Sequence, residues 1–400
     1  MKGLWTAIKI LILLLFATMT ATLVVMYVKD PVLTTRFVQI PFSGVTGPRE
    51  TVRGGAGEEI PTASTPVISD AAKSQAIEYG QETGSHALLI YRGDGLELEQ
   101  YYAGYNAGTT SQTQSMHKSV LALLVGIAID EGFIVSVDEP AATYLTEWRD
   151  DARSKITLRH MLRQTSGIDF ATVGLNPLGG FYQLMLGADV TAASLQLPAA
   201  VEPGTQFDYN SAIPQNVGLI IERATGKRYA EYLSDALWAR IGAADAYVLL
   251  DSETNRMART SCCLDATARS WLRIGLLHLN AGRVGEAQVV PEQWMQDVVV
   301  PGALNPNYGY FTWLGTEHNG FRSYNRKTDV RVFHSEPFVA PDVIYFDGFG
   351  GQRVYIIPSH ALIIVRIGES TQSWDDSYLP NLIVRDLEKN APSDQPSDQT

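Results

Sequence analysis

The chain has 400 residues, 45% of them hydrophobic, and is long enough to bury a large core in one or two domains. Its formal net charge of -12 and its lack of lysine- or arginine-rich blocks argue against a nucleic-acid partner. The two cysteines, Cys262 and Cys263, are adjacent. Their Cα atoms are about 3.8 Å apart, which is too close for relaxed disulfide geometry. We therefore expect two buried thiols and a fold that does not depend on oxidation.

The first 30 residues contain a long apolar segment. An almost uninterrupted apolar run covers residues 10–28, and Lys2 and Lys9 precede it. The run is long enough to cross a bilayer core, so residues 1–30 are either an uncleaved transmembrane anchor or a cleaved signal peptide. No clear Ala-x-Ala cleavage site follows the run. Both alternatives predict that the remaining chain is exported to the periplasm or the cell exterior, membrane-anchored in the first case and secreted in the second.

Composition then divides the rest of the chain into three parts. Residues 31–70 include a stretch rich in Gly, Pro, Ser and Thr, which predicts an extended linker. Residues 391–400 repeat Pro-Ser-Asp-Gln and predict a disordered tail. The dense region between them, residues 71–390, predicts one folded domain.

Strand and helix patterns within that region predict an α+β fold. Two strands at 87–91 and 96–100 flank a turn that contains Gly93 and Gly95, which is a hairpin signal. Helical patterns occupy the middle of the region, and three strands followed by a helix close it. We expect an antiparallel sheet, with its first and last strands paired, flanked by helices and joined to a mostly helical subdomain. The predicted middle helices cover 120–131, 158–163, 214–223, 230–239 and 266–280; the closing strands cover 343–346, 353–357 and 361–367, and the last helix 381–389.

Ser115 and Lys118 stand at the start of the apolar helical run that ends at Asp130. A spacing of three residues places the hydroxyl and the amine on one helix face, where the amine can take the hydroxyl's proton. The helix N-terminus adds positive potential where an oxyanion would form. A Ser-x-x-Lys is expected by chance in most chains of this length, so other segments must support a catalytic interpretation.

Four further segments provide that support. They are Ile-Thr-Leu-Arg-His-Met-Leu at 156–162 with Thr-Ser-Gly-Ile at 165–168, Glu-Pro-Gly-Thr-Gln-Phe-Asp-Tyr-Asn-Ser at 202–211, Cys-Leu-Asp-Ala-Thr-Ala-Arg at 263–269 and Gly-Phe-Gly-Gly-Gln at 348–352. In this order they resemble the β-lactamase-related serine hydrolases, a group with class C β-lactamases, D-alanyl-D-alanine carboxypeptidases, family VIII esterases and 6-aminohexanoate-dimer hydrolases. The resemblance covers most of residues 87–368 and implies an α/β sandwich of the β-lactamase/transpeptidase type.

The resemblance also implies a set of site residues. Ser115 is the expected nucleophile, with Lys118 and Tyr209 as the base and the backbone N–H groups of Ser115 and Gln352 as the oxyanion hole. To act as a base, Lys118 needs a pKa about 3 units below its usual value. Ser211 and the segment Phe349, Gly350 and Gly351 are expected to contact substrate. We expect no cofactor and no metal, because the seven histidines are dispersed and form no ligand motif.

Three departures from the family pattern bear on the substrate. Ser211 replaces the asparagine of the second motif, Phe349 replaces the lysine of the third, and Gln164 stands where histidine is common. Losing that lysine removes a cation that favours anionic substrates, so we expect an esterase or amide hydrolase acting on a small ester, amide or peptide. Two alternatives remain: a D,D-peptidase or β-lactamase, and a catalytically silent binding protein of the same fold.

Overall fold

The computed structural model describes residues 2–43, 45–169, 176–325, 330–369, 371 and 373–390. The tail at 391–400 lies outside these residues. Within them the α-helices, in chain order, are α1 (Lys2–Lys29), α2 (Pro31–Ser43), α3 (Asp70–Glu82), α4 (His117–Asp130), α5 (Leu158–Leu162), α6 (Gly180–Leu186), α7 (Val190–Leu195), α8 (Ala212–Thr225), α9 (Tyr229–Leu233), α10 (Ala268–Leu279), α11 (Glu292–Val298) and α12 (Tyr378–Asn390).

The strands of the same residues form two main antiparallel sheets and two short hairpins. In chain order they are β1 (Arg49–Val52), β2 (Ser85–Arg92), β3 (Gly95–Tyr101), β4 (Thr110–Gln112), β5 (Ala246–Leu249), β6 (Leu264–Thr267), β7 (Arg283–Val284), β8 (Ala287–Gln288), β9 (Trp313–Leu314), β10 (Phe321–Ser323), β11 (Arg331–Phe333), β12 (Ile344–Gly348), β13 (Gln352–Ile357) and β14 (Leu362–Gly368).

The larger sheet confirms the predicted pairing of the N-terminal hairpin with the C-terminal strands. Its order is β3-β2-β14-β13-β12-β9, and β2 pairs antiparallel with β14. Gly93 and Asp94 form the two-residue loop between β2 and β3, and Gly93 has a φ of 64°, which suits a tight hairpin turn. The helix α10 packs on β2, β13 and β14. The predicted α+β architecture is therefore confirmed.

The helix α4 lies inside the molecule, because its sequence is apolar on every side. Every residue from His117 to Ala128 is buried, and the helix packs against α8 and α11. The short 3₁₀ turn before α4, Gln114–Met116, contacts β12 and β13. The start of α4 thus lies where the helical part of the domain meets the sheet.

The segment 31–70 corrects the expectation of an extended linker. It contains α2 and β1, and β1 pairs with β5 as the first strand of the second sheet, β1-β5-β6-β4. Leu33, Arg36 and Val52 in this segment are buried by the domain. A Gly- and Pro-rich composition predicts a flexible stretch, but long-range packing and strand pairing fix this one. The folded unit therefore begins well before residue 71.

The cysteines also differ from expectation. Cys262 and Cys263 are joined by a disulfide between adjacent residues, so the expectation of two thiols is wrong. Relaxed disulfides join residues whose Cα atoms are farther apart, whereas this bridge closes a small ring within one turn. Cys263 has a φ of 70°, a backbone conformation that nothing in the local sequence signals.

Candidate active site

The backbone next to Ser115 has an unusual conformation. Gln114, immediately before it, has a φ of 52°, which is unusual for a residue with a side chain and is often found at functional sites. A Cβ on Gly348 of β12 would collide with the carbonyl oxygen of Thr113. The close approach of β12 and the strained turn leave the Ser115 side chain half-exposed beside the sheet.

Lys118 lies directly behind this serine. Its Nζ is 2.5 Å from Oγ of Ser115 and donates to the carbonyl oxygen of Ser261 at 2.7 Å. The residue is only 1% exposed. Burial lowers the pKa of Lys118 to about 7, although the negative charge of Asp347 opposes this shift. The amine is thus partly uncharged at neutral pH and can accept a proton.

Tyr209 completes the group around the serine. Nζ of Lys118 lies 4.9 Å from the centre of the Tyr209 ring. Burial raises the pKa of Tyr209 well above 10, with a further upward contribution from Asp347, and the Ser115 hydroxyl is close enough to the phenol to lower this pKa in part. The phenol therefore keeps its proton near neutral pH. This difference in pKa favours Lys118 as the group that accepts the serine proton and Tyr209 as a donor.

Gln164 hydrogen-bonds to the residues on both sides of Tyr209. The sequence offers no explanation for its departure from the family pattern. The carbonyl oxygen of Gln164 accepts from the N–H of Asp208 at 2.9 Å, and its Oε1 accepts from the N–H of Asn210 at 2.8 Å. Gln164 is buried and has a φ of 56°. These bonds fix the backbone immediately before and after Tyr209, so Gln164 is a positioning residue.

Three aromatic rings pack around the side chain of Tyr209. The ring of Tyr324 lies 5.2 Å from that of Tyr209, the ring of Trp313 lies 5.7 Å away and that of Tyr308 lies 6.1 Å away, measured between centroids. All three are buried. The N–H of Tyr209 also donates to the carbonyl oxygen of Tyr324 at 3.3 Å. Packing and backbone bonding together restrict the phenol to one position.

The predicted oxyanion segment forms the turn between β12 and β13. Gly350 and Gly351 have φ values of 80° and 90°, which a residue with a side chain rarely adopts. The Gln352 side chain points away from the serine, because its Nε2 donates to the carbonyl oxygen of Gly368 and its Oε1 accepts from the N–H of Gly368. A catalytic contribution of Gln352 would therefore come from its backbone N–H.

The remaining predicted substrate residues have different surroundings. Phe349 is 55% exposed at the mouth of the cleft. Ser211 is half-buried at the start of α8 and does not cap that helix with its hydroxyl. Asn210, between Tyr209 and Ser211, is buried; its Nδ2 donates to the carbonyl oxygen of Ile168 and its Oδ1 accepts from the N–H of Ala212. Asn210 is therefore part of the structural support.

A cluster of four buried charges lies beside the site, and the sequence did not reveal it. Arg322 contacts Asp347 at 3.1 Å and Asp376 at 2.9 Å, and Arg353 contacts the same two carboxylates at 2.5 and 2.7 Å. Nη1 of Arg353 also donates to the carbonyl oxygens of Gly348 and Gln352. These carbonyls flank the glycine turn, so the cluster fixes the shape of the candidate oxyanion segment.

A cavity of about 500 Å³ opens beside the glycine turn. It is lined on one side by the turn residues and on the other by β11 and aromatic side chains. Its wall includes Tyr324, Arg331, Val332, Phe349, Gly351 and Trp374. The mixture of apolar surface with the cations Arg331 and Arg353 can accommodate an acyl chain with a polar group.

His117, next in sequence to Lys118, does not face the serine. Its Nδ1 bonds the carbonyl oxygen of Cys262 at 2.7 Å and its Nε2 bonds the hydroxyl of Tyr229 at 2.8 Å. Burial lowers the pKa of His117 to about 4, so it stays neutral. Within the part of the chain that the structure describes, no group of three or more His, Cys, Asp or Glu side chains is arranged to hold a metal ion.

Comparison with known proteins identifies the family. The sequence profile of the Beta-lactamase family matches residues 74–385. This chain belongs to the beta-lactamase family.

Individual relatives support the same placement of this beta-lactamase family member. The 6-aminohexanoate-dimer hydrolase of Paenarthrobacter ureafaciens is 28% identical over 234 residues, which is 56% of this chain and 59% of that relative's length. A solved structure named "Putative 6-aminohexanoate-dimer hydrolase from Bacillus anthracis" matches with a TM-score of 0.67 and 20% identity, covering 89% of this chain and 92% of that one. The octameric penicillin-binding protein homologue from Pyrococcus abyssi matches with a TM-score of 0.58 and 15% identity, covering 80% and 77%. The two structures show a shared fold.

The role of Gln164 can be tested by removing its side chain. We expect Gln164→Ala to lower kcat about 10- to 100-fold, because small displacements of a catalytic group are costly, and to change KM little. Ester hydrolysis measured across pH checks this. The exposed Gln196→Ala is the matched control and should retain full activity. An unchanged kcat in folded Gln164→Ala protein would show that Tyr209 needs no support from Gln164.

Proposed function

We propose that this protein cleaves an ester or amide bond through an acyl-serine intermediate on Ser115. The observation that carries the proposal is the 2.5 Å contact between Nζ of Lys118 and Oγ of Ser115, with a lysine pKa of about 7. An amine of that pKa is a suitable base near neutral pH. The nucleophile, the base and the phenol of Tyr209 are thus within reach of one another.

Acylation begins when Oγ of Ser115 attacks the substrate carbonyl and its proton passes to Nζ of Lys118. The carbonyl oxygen becomes an oxyanion, which the backbone N–H groups of Ser115 and Gln352 stabilise. Collapse of this intermediate breaks the bond to the leaving group. The phenol of Tyr209 gives its proton to the leaving oxygen or nitrogen and regains one from Lys118.

Deacylation uses the same groups in the reverse sense. Water takes the place of the leaving group, and its proton passes through Tyr209 and Lys118 as it attacks the acyl carbonyl. The second intermediate collapses and breaks its bond to Oγ of Ser115, which takes the proton held by Lys118, and the acid is released. The difference in pKa between Lys118 and Tyr209 keeps one acceptor and one donor available throughout.

The cavity beside the glycine turn supports an ester or amide with an apolar acyl part. Phe349 occupies the position where class C β-lactamases carry lysine and adds apolar surface to the cavity wall. The 6-aminohexanoate-dimer hydrolase relative acts on a 6-aminohexanoate dimer, as its name states, and we include amide cleavage in the proposal for this chain.

We also propose that the protein is exported and keeps α1 as a membrane anchor. By length and composition α1 can cross a membrane. Residues just after it, Leu33 and Arg36, are buried in the domain. Because these residues are part of the fold, a signal peptide cleaved after them would remove a piece of the domain. This argues against cleavage beyond residue 30 and favours retention of α1.

Covalent labelling of the full chain in detergent tests the proposed nucleophile. We expect a fluorophosphonate to add one group per protein, and peptide mass spectrometry to place it on Ser115. Ser115→Ala should lose both labelling and hydrolysis of nitrophenyl esters.

Ser111→Ala, four residues earlier on β4, is the matched control and should label normally. Equal labelling and turnover in Ser115→Ala would reject the acyl-serine proposal. A parallel incubation with labelled penicillin addresses the alternative class: stable adducts on Ser115 at low drug concentration would favour a penicillin-interacting enzyme.

A further inference from the structure

The surface of α1 is apolar on all sides and is not covered by the domain. Leu13 is 67% exposed, Phe16 63% and Val28 77%. At 1.5 Å per residue this helix is about 40 Å long, which exceeds the roughly 30 Å of a bilayer core. A lipid bilayer is the partner whose dimensions and chemistry fit this surface.

The anchor is attached to the domain by a rigid joint. At the break between α1 and α2, Asp30 accepts from the N–H of Leu33 through Oδ1 and from Nε2 of Gln183 through Oδ2. Met26 near the end of α1 and Leu33 in α2 pack against Leu186 of α6. Polar and apolar contacts therefore hold both sides of the break on α6.

Arg36 extends this joint into the domain. Its guanidinium donates to the carbonyl oxygens of Leu186, Gly187 and Asp251 at 2.9, 3.0 and 2.7 Å. A buried cation with three backbone acceptors fixes α2 in position and orientation, because its donors are rigidly arranged. A flexible stalk would need no such residue.

The same contacts continue to the catalytic lysine. The buried Arg259 shares the carbonyl oxygen of Gly187 with Arg36, and two residues later the carbonyl oxygen of Ser261 accepts from Lys118. On a second route, the carbonyl oxygen of Val45 accepts from Nε2 of Gln112, which precedes Ser115 by three residues. Two chains of contacts thus connect the anchor joint to the segments that hold Ser115 and Lys118.

Aromatic residues on α6 and α2 add an interfacial surface at this joint. The ring of Tyr182 lies 5.6 Å from that of Phe37 and 5.4 Å from that of Phe181, measured between centroids. All three are partly exposed. Aromatic side chains next to a spanning helix are typical of the headgroup level of a membrane.

We propose that this joint holds the catalytic cleft at the bilayer surface and that the substrate is an acyl ester amphiphile residing in that bilayer. The inference rests on the proposed function, because it assigns a substrate class to the same serine. A soluble substrate would reach the cleft equally well on any tether. A fixed joint that is connected to the site matters when the substrate is confined to the membrane, and the cavity by the glycine turn receives its acyl chain.

The test compares two esters on the full chain in phosphatidylcholine vesicles, which are neutral overall and avoid repulsion by the acidic domain. Nitrophenyl acetate is the soluble substrate, and nitrophenyl palmitate dissolved in the vesicles is the bilayer substrate. A 20-residue Gly/Ser segment inserted between Val28 and Lys29 adds about 25 Å of flexible tether. We expect it to lower palmitate turnover at least 10-fold and to leave acetate turnover unchanged.

The same insertion placed between Met1 and Lys2 is the matched control and should change neither rate. Palmitate turnover that is absent from the parent protein, or that is unaffected by the insertion after Val28, would overturn the inference while acetate turnover still supports the hydrolase. Absence of acetate turnover in the parent would instead overturn the proposed function.

Discussion

Replacing Lys118 with methionine is expected to lower kcat/KM for ester hydrolysis by about 10²- to 10⁴-fold, the usual contribution of a general base. Methionine keeps the apolar stem but cannot take the proton of Ser115. The wild-type rate should rise as pH increases through about 7, because the Lys118 ammonium then becomes the free amine. This rise should be absent from the variant. Initial rates measured from pH 5 to 9 check both effects.

Stability gives an independent readout of the same lysine. Its pKa is about 7 in the folded protein and near 10.5 when exposed, so the unfolded chain binds more protons between these values. The free energy of unfolding should therefore rise with pH across that window, and Lys118→Met should lose this contribution. Lys155→Met, which breaks an exposed pair with Glu202, is the matched control. A full pH-dependent rise in rate that persists in Lys118→Met would exclude Lys118 as the base.

Replacing Arg353 with methionine is expected to lower the free energy of unfolding by about 3–5 kcal/mol, as for other buried ion pairs that lose one partner. Among the residues that the structure describes, the change leaves Arg322 as the cation paired with Asp347 and Asp376, both of which have fully buried side chains. It also removes the donor that holds the carbonyls of Gly348 and Gln352, so the folded fraction should hydrolyse esters more slowly. Urea unfolding followed by circular dichroism, with activity measured below the transition, checks both.

Two further variants distinguish the stability contribution of the buried cluster from that of an ordinary ion pair. Arg385→Met breaks an exposed pair with Glu336 and should cost at most about 1 kcal/mol. The double variant Arg353→Met with Asp376→Asn removes one charge of each sign. It should be less destabilised than the sum of its single variants, because their effects are coupled. Strict additivity would contradict a shared electrostatic cluster.

Some of the candidate site follows from local sequence, and some does not. The positions of Ser115 and Lys118 follow from helical spacing, and the structure places their side chains in contact. The supporting role of Gln164 does not, because its partners lie more than 40 residues away along the chain. The sequence indicated only that Gln164 was unusual at its position.

The charge cluster illustrates the same limit. Arg322, Asp347, Arg353 and Asp376 are spread over more than 50 residues, and each alone reads as an ordinary surface charge. Their pairing arises because β12 and β13 are neighbours, while β10 and the segment before α12 fold over them. The structure therefore explains why these four charged residues can be buried: they pair with one another. Composition does not reveal this pairing.

What the sequence by itself determined is the local periodicity: the hairpin, the buried helix α4, the closing strands and the apolar N-terminal helix. These depend on residues within a few positions of one another. Only the tertiary structure decided that residues 31–70 belong to the folded unit and that Lys118 is buried with a lowered pKa. Both depend on packing against distant segments, which removes water from groups that the local sequence would leave exposed. The bridge between Cys262 and Cys263 is local, but it occurs with a positive φ at Cys263 that the sequence does not signal.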